Sequence, residues 1–115
     1  MQALNVVENP SFEGDKASKI QVVKSNQIGV DALSLRPGQS YGPHRLPDRD
    51  RAVITLSGKG ELVLHTDPTD ERIELTRGMI ALASRNTWHA IINTGSENLI
   101  LALTSQFPTR VEERG

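Results

Sequence analysis

The feature that most constrains this chain is its punctuation. Turn-forming pairs recur along the 115 residues, at Asn9-Pro10, Ser25-Asn26, Pro37-Gly38, Ser57-Gly58, Asp67-Pro68, Arg77-Gly78, Arg85-Asn86 and Thr94-Gly95. Gly, Asn and Pro supply the backbone conformations that tight reversals need. The segments between them are short and rich in Val, Ile, Leu and Thr, and they are predicted as strands near 18–24, 27–36, 42–46, 51–57, 60–66, 71–76, 79–84, 88–94 and 97–105. Short strands at roughly 8–12-residue spacing are the pattern of an all-β sandwich or barrel. No window sustains a 3.6-residue apolar period, so nothing helical is predicted beyond one turn within 9–17. The final VEERG is expected to fray. The length suits a single domain over 1–115.

Side chains on a strand alternate between its two faces. Along 51–57, Ala52, Ile54 and Leu56 share one face, and Arg51, Val53, Thr55 and Ser57 share the other. Along 88–94, His89, Ile91 and Asn93 oppose Trp88, Ala90, Ile92 and Thr94. Both faces carry apolar groups. Such strands suit a sheet covered inside by a second sheet and outside by a partner chain. A homodimer is therefore expected, paired through Ala52, Ile54 and Leu56 or through Ala90 and Ile92, with an N-terminal strand at 4–7 adding to the neighbour's sheet edge.

Composition removes several function classes. The 13 Lys and Arg nearly balance the 14 Asp and Glu, for a formal charge of -1. The basic footprint of a nucleic-acid binder is missing. Phe12, Tyr41, Trp88 and Phe107 are too few aromatics for a base-stacking platform. The longest apolar run, 99–103, falls far short of the ~20 residues of a membrane span. The start, MQALNVVENP, lacks the basic and apolar stretches of a signal peptide. No nucleic acid or membrane is expected as a partner. With no cysteine in the chain, disulfide scaffolds, cysteine zinc sites and thiol catalysis are excluded. A cytoplasmic location is the default expectation.

The three histidines are the natural places to look for chemistry. His65 closes a strand before Thr66-Asp67-Pro68 and reads as an ordinary structural residue. His44 and His89 stand in richer contexts. Gly38 is followed by five residues and His44; Leu46 comes two positions later, then four residues, Arg51, six residues and Gly58. Gly78 is followed by five residues, Ser84-Arg85-Asn86, two residues, His89, three residues and Asn93. In these spacings the chain resembles the cupin superfamily. Its first motif runs G, five residues, H-x-H, three or four residues, E, six residues, G. Its second runs G, five residues, P-x-G, two residues, H, three residues, N. The resemblance covers 38–58 and 78–93, and it implies a cupin-like jelly-roll β-barrel of two packed antiparallel sheets.

In that family the two histidines of H-x-H, a glutamate and a histidine of the second motif close around a divalent ion. Imidazole nitrogen and carboxylate oxygen suit Zn, Fe, Mn, Ni or Cu. Of those four positions only His44 and His89 can coordinate here. Leu46 cannot, and Arg51 brings a fixed positive charge. A guanidinium ~5 Å from a dication would be repelled by about 6–7 kcal/mol at an effective dielectric of 20. It would also keep both imidazoles neutral. A β-bulge that turned Asp50 inward and Arg51 outward would restore a two-His, one-carboxylate site.

Three functions stay open on this reading. The first is a small-molecule-binding module with a degenerate metal site, no expected cofactor and an anionic ligand held by His44, Arg51 and His89. The second is a divalent-metal oxygenase or isomerase using His44, His89 and Asp50. The third is a metal-free epimerase or isomerase with a histidine base. Tyr41 and Trp88 flank the motif histidines and are expected on the pocket wall, although Trp88, opposite His89 on the strand, also reads as plain packing. The charged run 45–51 is either a solvated loop or an anion-recognising rim.

Overall fold

The structure, a computed structural model, describes residues 2–106 and 112–113. Its strands are β1 Ser18–Lys24, β2 Ile28–Leu35, β3 Ser40–Arg45, β4 Arg51–Ser57, β5 Lys59–Leu64, β6 Glu71–Thr76, β7 Ile80–Ala83, β8 His89–Ile92, β9 Leu99–Gln106 and β10 Glu112–Glu113. They form two antiparallel five-stranded sheets, ordered β1-β2-β9-β4-β7 and β10-β3-β8-β5-β6. The chain thus passes repeatedly from one sheet to the other, as in a jelly roll, and the sheets pack face to face.

Alternation decides what lies between them. Val53 and Thr55 on β4, Leu62 on β5, Ile91 on β8 and Leu99, Leu101 and Leu103 on β9 point inward and are buried. Leu33 and Leu35 on β2 and Leu75 on β6 complete this apolar core. Removing side chains of this size from water is the main favourable term in folding a barrel so small.

Turns close the barrel at the expected glycines: Gly38, Gly58 and Gly78 all have positive φ. At Gly58 no other residue fits. Its φ is +90°, and a Cβ there would lie 2.4 Å from the Asn98 carbonyl oxygen. Asn93 ties the same end of the barrel together. Its buried amide donates to the Leu35 and Glu97 carbonyls at 2.9 and 2.8 Å and accepts from the Gly95 N–H at 2.9 Å. Its backbone N–H donates to Gln39. One residue thereby joins β2, the turn before β9 and the turn before β3.

Three expectations are corrected. Residues 9–17 hold no helical turn: Glu13 and Lys16 form an antiparallel bridge, closed by the Lys16 N–H on the Glu13 carbonyl at 2.8 Å. The helical-type bond lies earlier, from the Asn9 N–H to the Asn5 carbonyl at 3.0 Å, with the Asn5 side chain accepting from Val7 and Glu8. Residues 4–7 are therefore not an extended strand. They fold back toward their own sheet, where Leu4 and Val6 line one cavity with Val22, Val23, Val30 and Ala102, and Gln2 bonds the Lys24 backbone. Part of the tail is not frayed either, since Glu112 and Glu113 pair with Arg45 and His44 of β3. Residues 111, 114 and 115 of that tail lie outside the described residues.

Candidate functional site

The site is built where the two sheets face each other near one end of the barrel. Arg51 opens β4 on its inner face and is 3% exposed; His89 opens β8 on the opposite sheet and is 1% exposed. Their side chains meet across the interior, with Arg51 Nη1 3.2 Å from His89 Nε2. The other ring nitrogen, Nδ1, lies 3.0 Å from the Thr87 carbonyl. A guanidinium only donates and a carbonyl only accepts, so these two bonds specify one tautomer. Nδ1 carries the proton and Nε2 offers its lone pair to Arg51. His89 is a neutral imidazole, and its pKa falls to about 4. Burial is the main cause, the positive charge of Arg51 adds to it, and the Thr87 carbonyl opposes both.

Tyr41 and His44 join this pair through an irregularity in β3. Tyr41 pairs with Ile91 and His44 with His89, so three steps on β3 match two on β8. That extra residue is a β-bulge. Without it, side chains three apart would point to opposite faces. With it, the two rings come together at 4.3 Å between centroids, tilted by 41°. Gly42 permits the bulge: its φ is +103°, and a Cβ there would lie 2.7 Å from the His89 carbonyl oxygen. The Arg51 guanidinium carbon lies 5.9 Å from the Tyr41 ring centre, over its electron-rich face. Arg51, His89, Tyr41 and His44 are therefore one cluster, and Leu46, 2% exposed, packs as plain core.

Other expected members lie elsewhere. Asp50 stays outside, exposed, where its carboxylate accepts from the Arg85 backbone N–H at 2.8 Å. The bulge that would have turned it inward is in β3 instead. Trp88 is not on the barrel wall beside His89. It lies under Arg45, whose guanidinium carbon is 4.8 Å from the indole centre. The run 45–51 does not form a common rim. Arg45 covers Trp88, Arg49 forks onto Asp48 at 2.7 and 2.9 Å, and Arg51 alone turns inward. His65 pairs with Asp70 at 3.2 Å and braces the turn between β5 and β6.

A cleft of about 970 Å³ opens beside the cluster, bounded by residues 14–17, the turn 36–39 and β3, with Tyr41 and His44 in its wall. Lys16 and Arg36 also line it. Neither belongs to a motif. No sequence signal announces them, because it is the fold that brings the 13–16 bridge to the 36–39 turn.

The chemistry available follows from the donors. Both nitrogens of His89 are engaged, Arg51 stands beside it, Leu46 has no ligating atom and Asp50 is outside. Among the described residues no three His, Asp or Glu side chains are placed to share a metal. This donor set does not fit the family's divalent ion. His89 is also a weak base near neutral pH, far from the value that suits a general base there. A neutral imidazole holding a buried guanidinium instead makes a cationic anchor with donors to spare.

A family model described as "Cupin domain" matches residues 33–105. Solved structures match it over almost the full chain. A protein of Thermus thermophilus, TT1209, is 23% identical over 92% of this chain and 97% of that one, with a TM-score of 0.82. A conserved protein with a double-stranded beta-helix domain from Klebsiella pneumoniae is 20% identical over 100% of this chain and 98% of that one, at 0.88. An S161A mutant of Bacillus subtilis oxalate decarboxylase is 16% identical over 94% of this chain but 30% of that one, at 0.79. At these identities the likeness is one of fold. No curated protein matches the chain in sequence. Among the described residues no helix is long and apolar enough to cross a membrane.

The lowered pKa of His89 gives a stability signature. Above the ordinary value of 6.5 the ring is neutral both folded and unfolded, so the full stability is present. As pH falls from 6.5 toward 4, the unfolded chain takes up a proton that the folded chain refuses. Stability should drop by about 1.4 kcal/mol per pH unit, about 3 kcal/mol in all. Carboxylates titrate in the same window, so the measurement is urea unfolding of wild type beside His89→Gln from pH 7.5 to 4. The variant should lose that much less. Equal slopes in the two proteins would contradict a His89 held neutral in the folded barrel.

Proposed function

The chain belongs to the cupin family, and we propose that it is a cytoplasmic small-molecule-binding member whose barrel holds an anion at Arg51 without a metal. The observation that carries this reading is the buried guanidinium. It occupies the motif's acidic-ligand position, bonds a neutral imidazole, and among the described residues pairs with no carboxylate. A buried charge without a counter-charge is costly. A ligand carboxylate or phosphate supplies that counter-charge in bidentate, charge-assisted form, among the stronger hydrogen bonds available. His44 and Tyr41 stand between Arg51 and the cleft, and the anion reaches Arg51 past them. His89 keeps the guanidinium aimed.

Binding should be visible in a thermal-shift screen of carboxylates, phosphates and sugar acids at pH 7.5, with wild type beside Arg51→Leu. Each protein's midpoint is read against its own value in plain buffer, because Arg51→Leu both removes a buried charge and leaves His89 Nε2 without its partner. At least one anion class should raise the wild-type midpoint by several degrees and leave the variant unmoved. If no anion distinguishes the two proteins, Arg51 is not a ligand anchor.

We further propose that two copies pair through the outer face of the sheet containing β4 and β7. Ile80 and Leu82 on β7 are 68% and 52% exposed and sit in register with Ile54 and Ala52. This apolar surface is more open than the alternative on the other sheet, where Ala90 is buried. Light scattering at high micromolar concentration should report twice 12.6 kDa, with Ile80→Lys reverting it to one copy. A wild-type mass of one copy would reject the dimer.

A further inference from the structure

The cleft outside the barrel carries positive charge that the Arg51 reading does not use. Lys16 and Arg36 line it, and among the described residues neither has a carboxylate within ion-pair distance. Asp15 is the one acidic side chain in the lining. Arg36 is held in place. Its Nη1 donates to the Gly14 carbonyl at 2.7 Å, and its guanidinium carbon lies 5.1 Å from the centre of the Phe12 ring. Gln39 braces the same corner, accepting from the Arg36 N–H at 2.8 Å and donating to the Gly14 carbonyl at 3.4 Å. Only one of the five guanidinium donors is spent on Gly14, so the others remain for a ligand. The bonds to Gly14 fix the 13–16 bridge over the cleft, and with it Lys16.

The far wall of the cleft is the ring pair Tyr41–His44, and Arg51 lies against the Tyr41 ring. A second cation, Lys19, lies 5.8 Å from the centre of that ring, and Asp31 is 3.9 Å from its ammonium. Two cationic centres thus lie on either side of the Tyr41–His44 ring pair, Arg51 buried against the Tyr41 ring and Lys16 with Arg36 in the cleft lining. A mono-anion engages one of them.

We propose that the cleft is a second ligand subsite, in which Arg36 and Lys16 take the outer acidic group of a doubly anionic ligand whose inner group is held at Arg51. This rests on the Arg51 reading and goes beyond it by stating the ligand's second charge and the residues that receive it. The outer group is a carboxylate or a phosphate, since both match a guanidinium fork flanked by an ammonium. The ligand's middle lies along Tyr41 and His44, where flat or short-chain carbon fits.

Calorimetry at pH 7.5 tests this with matched probes: glutarate against butyrate, and 3-phosphoglycerate against glycerate. Wild type should bind at least one doubly charged probe about tenfold or more tightly than its singly charged partner, the worth of one charge-assisted contact. Which pair shows the larger gap distinguishes a carboxylate from a phosphate at the outer position. Lys16→Glu and Arg36→Gln should each erase the gap while leaving the singly charged probe unchanged. Lys16→Glu keeps the Gly14 contacts of Arg36 and Gln39, so it separates lost charge from a loosened bridge. Arg51→Leu should weaken both members of each pair. If Arg51→Leu weakens binding but the gap is absent, or survives in both cleft variants, the second subsite is wrong and the Arg51 site stands. If Arg51→Leu changes nothing, or no probe binds wild type, the Arg51 reading fails and the subsite falls with it.

Discussion

A single contact between the two sheets, Arg51 on His89, organises the candidate site of this barrel. Burying a guanidinium calls for an acceptor, and an imidazole can be one only through an unprotonated nitrogen. The Thr87 carbonyl takes the Nδ1 proton as its hydrogen bond and leaves Nε2 to accept. Burial and the neighbouring charge then keep the ring neutral well below the ordinary histidine range. The same Nε2 lone pair cannot serve a divalent ion at the same time. Arginine coordination of His89 and a metal cage are competing uses of one atom, and substitution at two of the four ligand positions, Leu46 and Arg51, decides between them.

The consequence for recognition is a change of sign. A metal site gathers carboxylates of the protein around an imported cation. Here the cation is built into β4 and the negative charge is left for the ligand. The chain is close to neutral overall, with a formal charge of -1, so the attraction is local rather than a property of the whole surface. Acidic side chains nearby are turned to other work: Asp48 holds Arg49, Asp50 caps the turn at Arg85, and Asp70 braces His65. Sequence neighbours of Arg51 therefore do not neutralise it.

How much of this was legible in the sequence depends on the range of the determining interaction. The strands were, because period-two alternation and glycine turns are local: β1, β4 and β6 coincide with the predicted segments. Alternation also grouped Arg51 with Val53 and Thr55, and His89 with Ile91 and Asn93, but it left open whether Arg51 or Asp50 faces the interior; burial of Arg51 and exposure of Asp50 decide that. The bulge in β3 was not legible. It depends on Gly42 lying against the His89 backbone, a contact between strands far apart in sequence, and the one bulge the sequence reading weighed was an alternative at Asp50. The position of Trp88, one residue before β8 begins, rests on the guanidinium of Arg45 from the neighbouring strand, a contact that no local pattern announces. The cleft was invisible for the same reason as the bulge. Gly14, Arg36 and Gln39 meet only after folding, 22 and 25 residues apart.

The protonation state of the His89 ring is the most direct test of this picture. A long-range ¹H–¹⁵N correlation spectrum at pH 7, assigned with His89→Gln and repeated after addition of one equivalent of Zn²⁺, reads both nitrogens at once. The structure requires a protonated Nδ1 and an unprotonated, hydrogen-bonded Nε2, and no change at either nitrogen when zinc is added. A doubly protonated ring or the opposite tautomer would show that Arg51 does not hold His89 through Nε2, and an Nε2 signal displaced by stoichiometric zinc would show that the barrel centre is a metal site.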